Sequence, residues 1–146
     1  MYDSLTKSMA GYSQTPLIKK LGIKEGFRIS FVNAPTDFGN ELGSLPESVT
    51  VLARPASGMD FVLLFTKSQL MLRKDFARLA KMLLPNGMLW VAWPKKSSGI
   101  MTDLSDNSVR EIGLSEGLVD VKVCAVTEVW SGLKFVYRIR DRAKMR

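Results

Sequence analysis

Histidine is absent from these 146 residues, and Cys124 is the single cysteine. Without an imidazole there is no Ser-His-Asp or Cys-His nucleophile and no histidine-ligated metal site. One thiol cannot form an intramolecular disulfide, so cysteine usage does not point to an oxidising compartment. Long hydrophobic runs are lacking as well. The longest, Met59 to Phe65 (broken by Asp60) and Met88 to Trp93, fall far short of a bilayer crossing. The N-terminus is polar and has no signal-peptide hydrophobic region, which leads to the expectation of a cytoplasmic protein. No internal repeat and no second domain are visible.

Hydrophobic residues make up 46% and charged residues 24%, the composition of a globular domain able to bury its own core. The net charge is +7, but it is unevenly placed. Lys134, Arg138, Arg140, Arg142, Lys144 and Arg146 stand against Asp141 alone in the last thirteen residues. Most of the basicity is therefore local. Such a run is expected to be a solvated tail, with non-specific phosphate contact as the sharper reading. No aromatic residue lies within the last six positions to stack a base.

Residues 1–14 are polar and expected to be flexible, with a single domain over 15–140 and a basic tail over 141–146. Thr15 to Gly22 predicts a short helix, capped by Thr15, begun by Pro16 and ended by Gly22. A strand is expected from Phe27 to Val32, a short helix from Asp37 to Leu42, and a second strand from Val49 to Leu52. Phe61 to Phe65 is continuously apolar, as in a strand covered on both faces. Leu72, Phe76, Leu79, Ala80 and Leu83 recur at helical spacing behind a Ser68 cap. Pro85-Asn86-Gly87 is expected to end that helix, with Gly87 at positive φ, before a fourth strand from Met88 to Trp93. A helix from Asp106 to Glu116, capped by Ser105, comes next. Val119 to Val129 alternates, with Val119, Val121, Val123 and Ala125 on one side. Trp130 to Leu133 reads as a hairpin turn, and Lys134 to Arg140 as the return strand with Phe135, Tyr137 and Ile139 on one face.

This alternation predicts an α/β three-layer sandwich, a mostly parallel Rossmann-like sheet ending in an antiparallel hairpin. From Asp60 onward the order resembles the class I methyltransferase variant of that fold. Asp60 to Phe65, the helix ending in Leu84-Pro85-Asn86-Gly87, and Leu89 to Trp93 are similar to that family's fourth strand, helix and fifth strand. The first loop departs from the family. It reads Asn33-Ala34-Pro35-Thr36-Asp37 where glycines would admit S-adenosylmethionine. Leu52-Ala53-Arg54-Pro55 stands where an acidic residue would hold the ribose, so no bound cofactor is expected. Only Arg54 to Met59 separates the second and third strands, too few residues for an ordinary parallel crossover. Either the second strand is antiparallel or a stretched loop replaces a strand–helix unit.

Further strings resemble a bacterial family of short uncharacterised proteins catalogued as a domain of unknown function. They are Ala10 to Ser13 with Thr15 to Leu17, Val32 to Pro35, Leu89 to Lys96, and Asp120 to Leu133. That resemblance implies the same frame and no stated activity.

In open α/β sheets ligands sit beyond the carboxyl ends of the parallel strands. That rule gathers Asn33, then Thr66, Lys67 and Ser68, then Trp93, Lys95 and Lys96. Amide, hydroxyl and ammonium groups beside a tryptophan suit a small anionic ligand. Asp103 and Asp106 are expected to cap the helix that follows them, Cys124 to be a small strand residue, and Trp130 to staple the hairpin. The resulting expectation is a non-catalytic Rossmann-like protein that binds a small anionic ligand or a protein partner, with no metal. Two alternatives are an atypical S-adenosylmethionine-dependent methyltransferase and a nucleic-acid accessory protein that uses the basic C-terminus.

Overall fold

The computed structural model describes residues 15–145; the expected flexible segment 1–14 lies outside the described residues. The elements, in chain order, are α1 (Leu17–Leu21), β1 (Arg28–Val32), α2 (Phe38–Leu42), β2 (Thr50–Val51), β3 (Met59–Phe65) and α3 (Gln69–Ala80). β4 (Leu83–Pro94), α4 (Asp106–Ser115), β5 (Leu118–Ala125), β6 (Trp130–Tyr137) and α5 (Ile139–Arg142) complete it. The six strands form one sheet in the order β2-β1-β3-β4-β6-β5. β2, β1, β3 and β4 are parallel, and β6 and β5 are antiparallel additions. The expected α/β architecture is present.

The two apolar strands alternate between two cores. Val62 and Leu64 of β3, with Leu89, Val91 and Trp93 of β4, pack against α3 and α4. Phe61, Leu63 and Phe65, with Trp90 and Ala92, pack on the other face against α1 and α2. Each face is covered by helices, so both kinds of position must be apolar, and the continuous runs follow. Trp90 is fully buried, and its indole N–H donates to the Leu21 carbonyl at 2.9 Å, fixing α1 to the sheet.

β2 is parallel to β1, pairing Arg28 with Thr50 and Ile29 with Val51. The seven residues between β2 and β3 thus pass from one side of β1 to the other. The stretched loop, and not an antiparallel strand, is the solution to the short connection. α1 begins at Leu17 with Pro16 at its N-cap position and no side-chain cap, where Thr15 was expected.

Several boundaries differ for physical reasons. α3 ends at Ala80, and β4 begins already at Leu83. Pro85-Asn86-Gly87 lies within β4, where Met59 pairs with Leu83 but Phe61 with Met88, so the extra residues bulge out. Gly87 does not have positive φ. A Cβ there would stand 2.6 Å from the Met59 carbonyl oxygen, so close backbone approach is what calls for glycine. The hairpin turn lies at residues 126–129, not at Trp130 to Leu133. The Thr127 hydroxyl accepts from the amides of Val129 and Trp130, and Val126 N–H donates to the Trp130 carbonyl. Gly132 is a strand residue; a Cβ on it would come within 2.6 Å of Val126 and 3.2 Å of Trp90.

β5 carries an irregularity between Asp120 and Lys122, and it is the edge strand. Val121 and Val123 are consequently 54% and 57% exposed instead of facing a core, whereas Cys124 packs inward. The return strand stops at Tyr137. Ile139 is 80% exposed in α5, so it does not share a face with Phe135 and Tyr137, and residues 143–145 continue as a 3-10 turn.

Candidate functional site

β1 and β3 are neighbours, yet the chain leaves β1 toward β2 on one side and β3 toward β4 on the other. This is the topological switch point, where the diverging connections open a crevice. A cavity of about 480 Å³ lies there. Asn33 and Pro35 beyond β1 and Thr66, Lys67 and Ser68 beyond β3 line it. The sequence rule thus places four of its seven candidate residues, Asn33, Thr66, Lys67 and Ser68, around one cavity.

The other three lie elsewhere. Trp93 alternates to the opposite face of β4 and is buried in the core under α3 and α4. Lys95 and Lys96 follow Pro94 and, together with Trp93, line a separate depression of about 320 Å³ with Asp106 and Asn107 at the start of α4. β4 continues two residues beyond its last partner in β3 and pairs Pro94 with Trp130 of β6, and neither Lys95 nor Lys96 lines the crevice.

Asn33 ends β1 with φ of +60°, in the left-handed region. Asparagine tolerates that conformation better than most residues, so the sharp turn survives without glycine. Asn33→Ala is expected to destabilise the fold by about 1 kcal/mol and Asn33→Gly to cost little, as measured by urea denaturation. Equal stabilities would show that the left-handed turn is not needed.

Thr66 is 7% exposed, its amide bonded to the Ala92 carbonyl, so its position is set by the sheet. Lys67 is exposed, and its carbonyl accepts from the Thr102 hydroxyl. Ser68 caps α3, its hydroxyl accepting from Met71 N–H at 3.1 Å. Asp103 accepts from Gln69 N–H at 2.8 Å, so this carboxylate serves α3 and not the helix that follows it. α4 has its own reciprocal cap between Ser105 and Ser108, with Asp106 in its first turn.

The strand-end rule missed Phe65 at the end of β3, Met71 and Asp75 from the first turns of α3, and Trp130 from the start of β6. Asp75 is only 8% exposed and receives Arg78 at 3.2 Å. Trp130 stacks edge-on against Phe65, centroids 5.1 Å apart, and pairs with Pro94 across the sheet. It is a wall of the crevice. The signal for Asp75 was present, since it falls among the apolar positions of a helix, where a charge is out of place.

The end of β2 contributes nothing acidic. The Leu52 carbonyl accepts from the Ser30 hydroxyl, and Ala53 and Arg54 are exposed. Cys124 is set apart from the crevice; burial raises its thiol pKa, opposed by the charges of Lys20, Lys122 and Lys95.

No family model matches the chain, and no curated protein matches it. The bacterial family suggested by the short strings therefore finds no counterpart here. Solved structures do match. A magnesium protoporphyrin IX methyltransferase from Synechocystis PCC 6803 with bound S-adenosylmethionine superposes with a TM-score of 0.56 at 10% identity, covering 84% of this chain and 74% of that one. A SAM-dependent methyltransferase from Aquifex aeolicus gives 0.53 at 17% identity, covering 82% and 86%. Aeropyrum pernix fibrillarin with natively bound S-adenosyl-L-methionine gives 0.52 at 16%, covering 86% and 70%. At these identities the likeness establishes a methyltransferase-like Rossmann fold. No helix among the described residues is long and apolar enough to cross a membrane.

Proposed function

We propose, on the premise of a methyltransferase-like fold, that the chain binds an S-adenosylmethionine-class ligand in the switch-point crevice. The observation that carries this reading is a cavity of about 480 Å³ at that position, lined by both signs of charge and by aromatic rings. Such a ligand has a zwitterionic amino-acid end and a sulfonium cation. The Asp75 carboxylate suits the ammonium, and Lys67 and the Asn33 amide suit the carboxylate. Phe65 and Trp130 offer π surfaces to the sulfonium.

The residues fit the amino-acid end of the ligand and leave its ribose without the customary carboxylate. When bound, the group supplies an electrophilic methyl on sulfur. The chain's own part is to orient the ligand and shield it from water. A missing charge-assisted hydrogen bond weakens binding by about 1.5–3 kcal/mol, roughly tenfold to a hundredfold.

A second reading, a small phosphate- or carboxylate-bearing ligand, is favoured by the exposed Lys67 beside Asn33. Asp75 and Asp103 near the same helix start weigh against a strongly anionic occupant. Thermal melting with S-adenosylhomocysteine, nucleotides and sugar phosphates separates the two. At 100 times its dissociation constant a ligand stabilises by about 2.7 kcal/mol, a shift on the order of 5–10 °C for this size. A shift with S-adenosylhomocysteine supports the first reading. Shifts confined to the phosphates replace it with the second, and no shift at millimolar ligand overturns both.

A further inference from the structure

The face of the sheet opposite α3 and α4 carries a concentration of positive charge that the crevice does not use. Lys122 of β5 and Lys134 of β6 are direct cross-strand partners. Like charges directly opposite each other destabilise a sheet. Both side chains reach the C-terminal end of α1. The Lys122 ammonium donates to the Lys20 carbonyl at 2.8 Å, and the Lys134 ammonium stands 3.8 Å from where a Gly22 Cβ would be. Lys20 itself reaches the Ala125 carbonyl at 3.0 Å. Lys24, in the turn after α1, is near enough that it and Lys122, after burial, lower the proton affinity of Lys134.

These four lysines come from three separate parts of the chain, so local sequence does not explain their grouping. Carbonyl oxygens satisfy Lys20 and Lys122 as donors but leave their charge in place. The ion pairs among the described residues are Asp75–Arg78, Arg110–Asp120 and Arg140–Asp141, none of them here. Glu25, beside Lys24 in sequence, pairs with none of the four.

We propose that this face contacts the phosphodiester backbone of a nucleic acid without reading its sequence. Lysines act as point charges and lack the rigid planar fork with which arginine fixes a bidentate geometry, which suits them to phosphates. Of the strand's two exposed valines, Val123 alternates to the opposite face and Val121 sits at the irregularity beside Lys122, so the patch has at most one valine where a membrane-inserting surface adds an apolar face to its charge. This surface is distinct from the basic C-terminal residues singled out in the sequence.

Fluorescence anisotropy with a labelled 20-base-pair DNA duplex tests the proposal on the full chain. Neutralising about four phosphates makes affinity fall about 100-fold between 50 and 200 mM salt. Lys24→Glu, at an exposed position, and Lys134→Gln should each weaken binding and lower the salt slope by about one. Deleting residues 141–146 should leave it unchanged. Melting temperatures equal to the parent's establish that the variants are folded. The proposal is overturned if both substitutions bind as the parent does, if the deletion alone abolishes binding, or if anionic vesicles bind and the duplex does not.

Discussion

Trp90→Ala is expected to lower the unfolding free energy by about 4 kcal/mol, the range for truncating a large buried aromatic side chain. For a chain of this length that is a fall in melting temperature on the order of 15 °C. The side chain is fully buried in the core between the sheet and α1, and a Cβ added at Gly132 would stand 3.2–3.3 Å from its ring. Little could collapse into the space, because the surrounding strands are held by their ladders. Trp90→Phe separates packing from hydrogen bonding. It keeps most of the apolar volume but leaves the Leu21 carbonyl without its indole donor, a loss of about 1–3 kcal/mol. If Trp90→Phe unfolds at the same urea concentration as the parent, the bond to Leu21 contributes nothing and α1 is held by apolar contact alone.

Trp90 also illustrates which parts of this fold were legible. The run from Leu89 to Trp93 announced a strand buried on both sides because two cores impose the same demand on successive residues. The Ser68 and Ser105 caps were readable for a similar reason: each is a local bond within four residues. The errors fell where glycine or valine answered to something distant. Gly87 and Gly132 looked like turn residues, but their constraints come from the Met59 carbonyl and from Val126 and Trp90. Val121 and Val123 alternated like buried residues, yet an edge strand with an irregularity turns them to solvent. Loop length was informative only in part. It showed that the link from β2 to β3 was too short to be ordinary, and pairing was needed to choose between the two remedies.

The candidate site divides along the same line. Asn33 and Thr66 to Ser68 follow strands that are adjacent in the sheet, so a rule about strand ends suffices to bring them together. Trp93 fails the rule because its direction depends on strand alternation, and Lys95 and Lys96 fail because β4 runs on to pair with β6. Trp130 enters the crevice through that same pairing, from a segment nearly forty residues later.

This division predicts how substitutions act on ligand binding. Measured with S-adenosylhomocysteine by titration calorimetry, Trp130→Ala should weaken binding at least tenfold, since it removes an aromatic wall of the crevice. Trp130 is also part of the core, so that variant must be compared at a temperature where it is fully folded. Asp75→Asn is the finer probe. It should weaken binding about tenfold if the carboxylate receives the ligand's ammonium. Arg78→Ala breaks the same ion pair from its more exposed side and leaves the carboxylate in the crevice. A contact half open to water contributes under about 1 kcal/mol to stability, so Arg78→Ala should bind at least as well as the parent. The double replacement of Lys95 and Lys96 by alanine should change affinity less than twofold, because neither lines the crevice. A large loss in that double variant, with Asp75→Asn unaffected, would move the binding site to the depression beside α4. Equal weakening by Asp75→Asn and Arg78→Ala would assign Asp75 to holding α3 in place and remove it from ligand recognition.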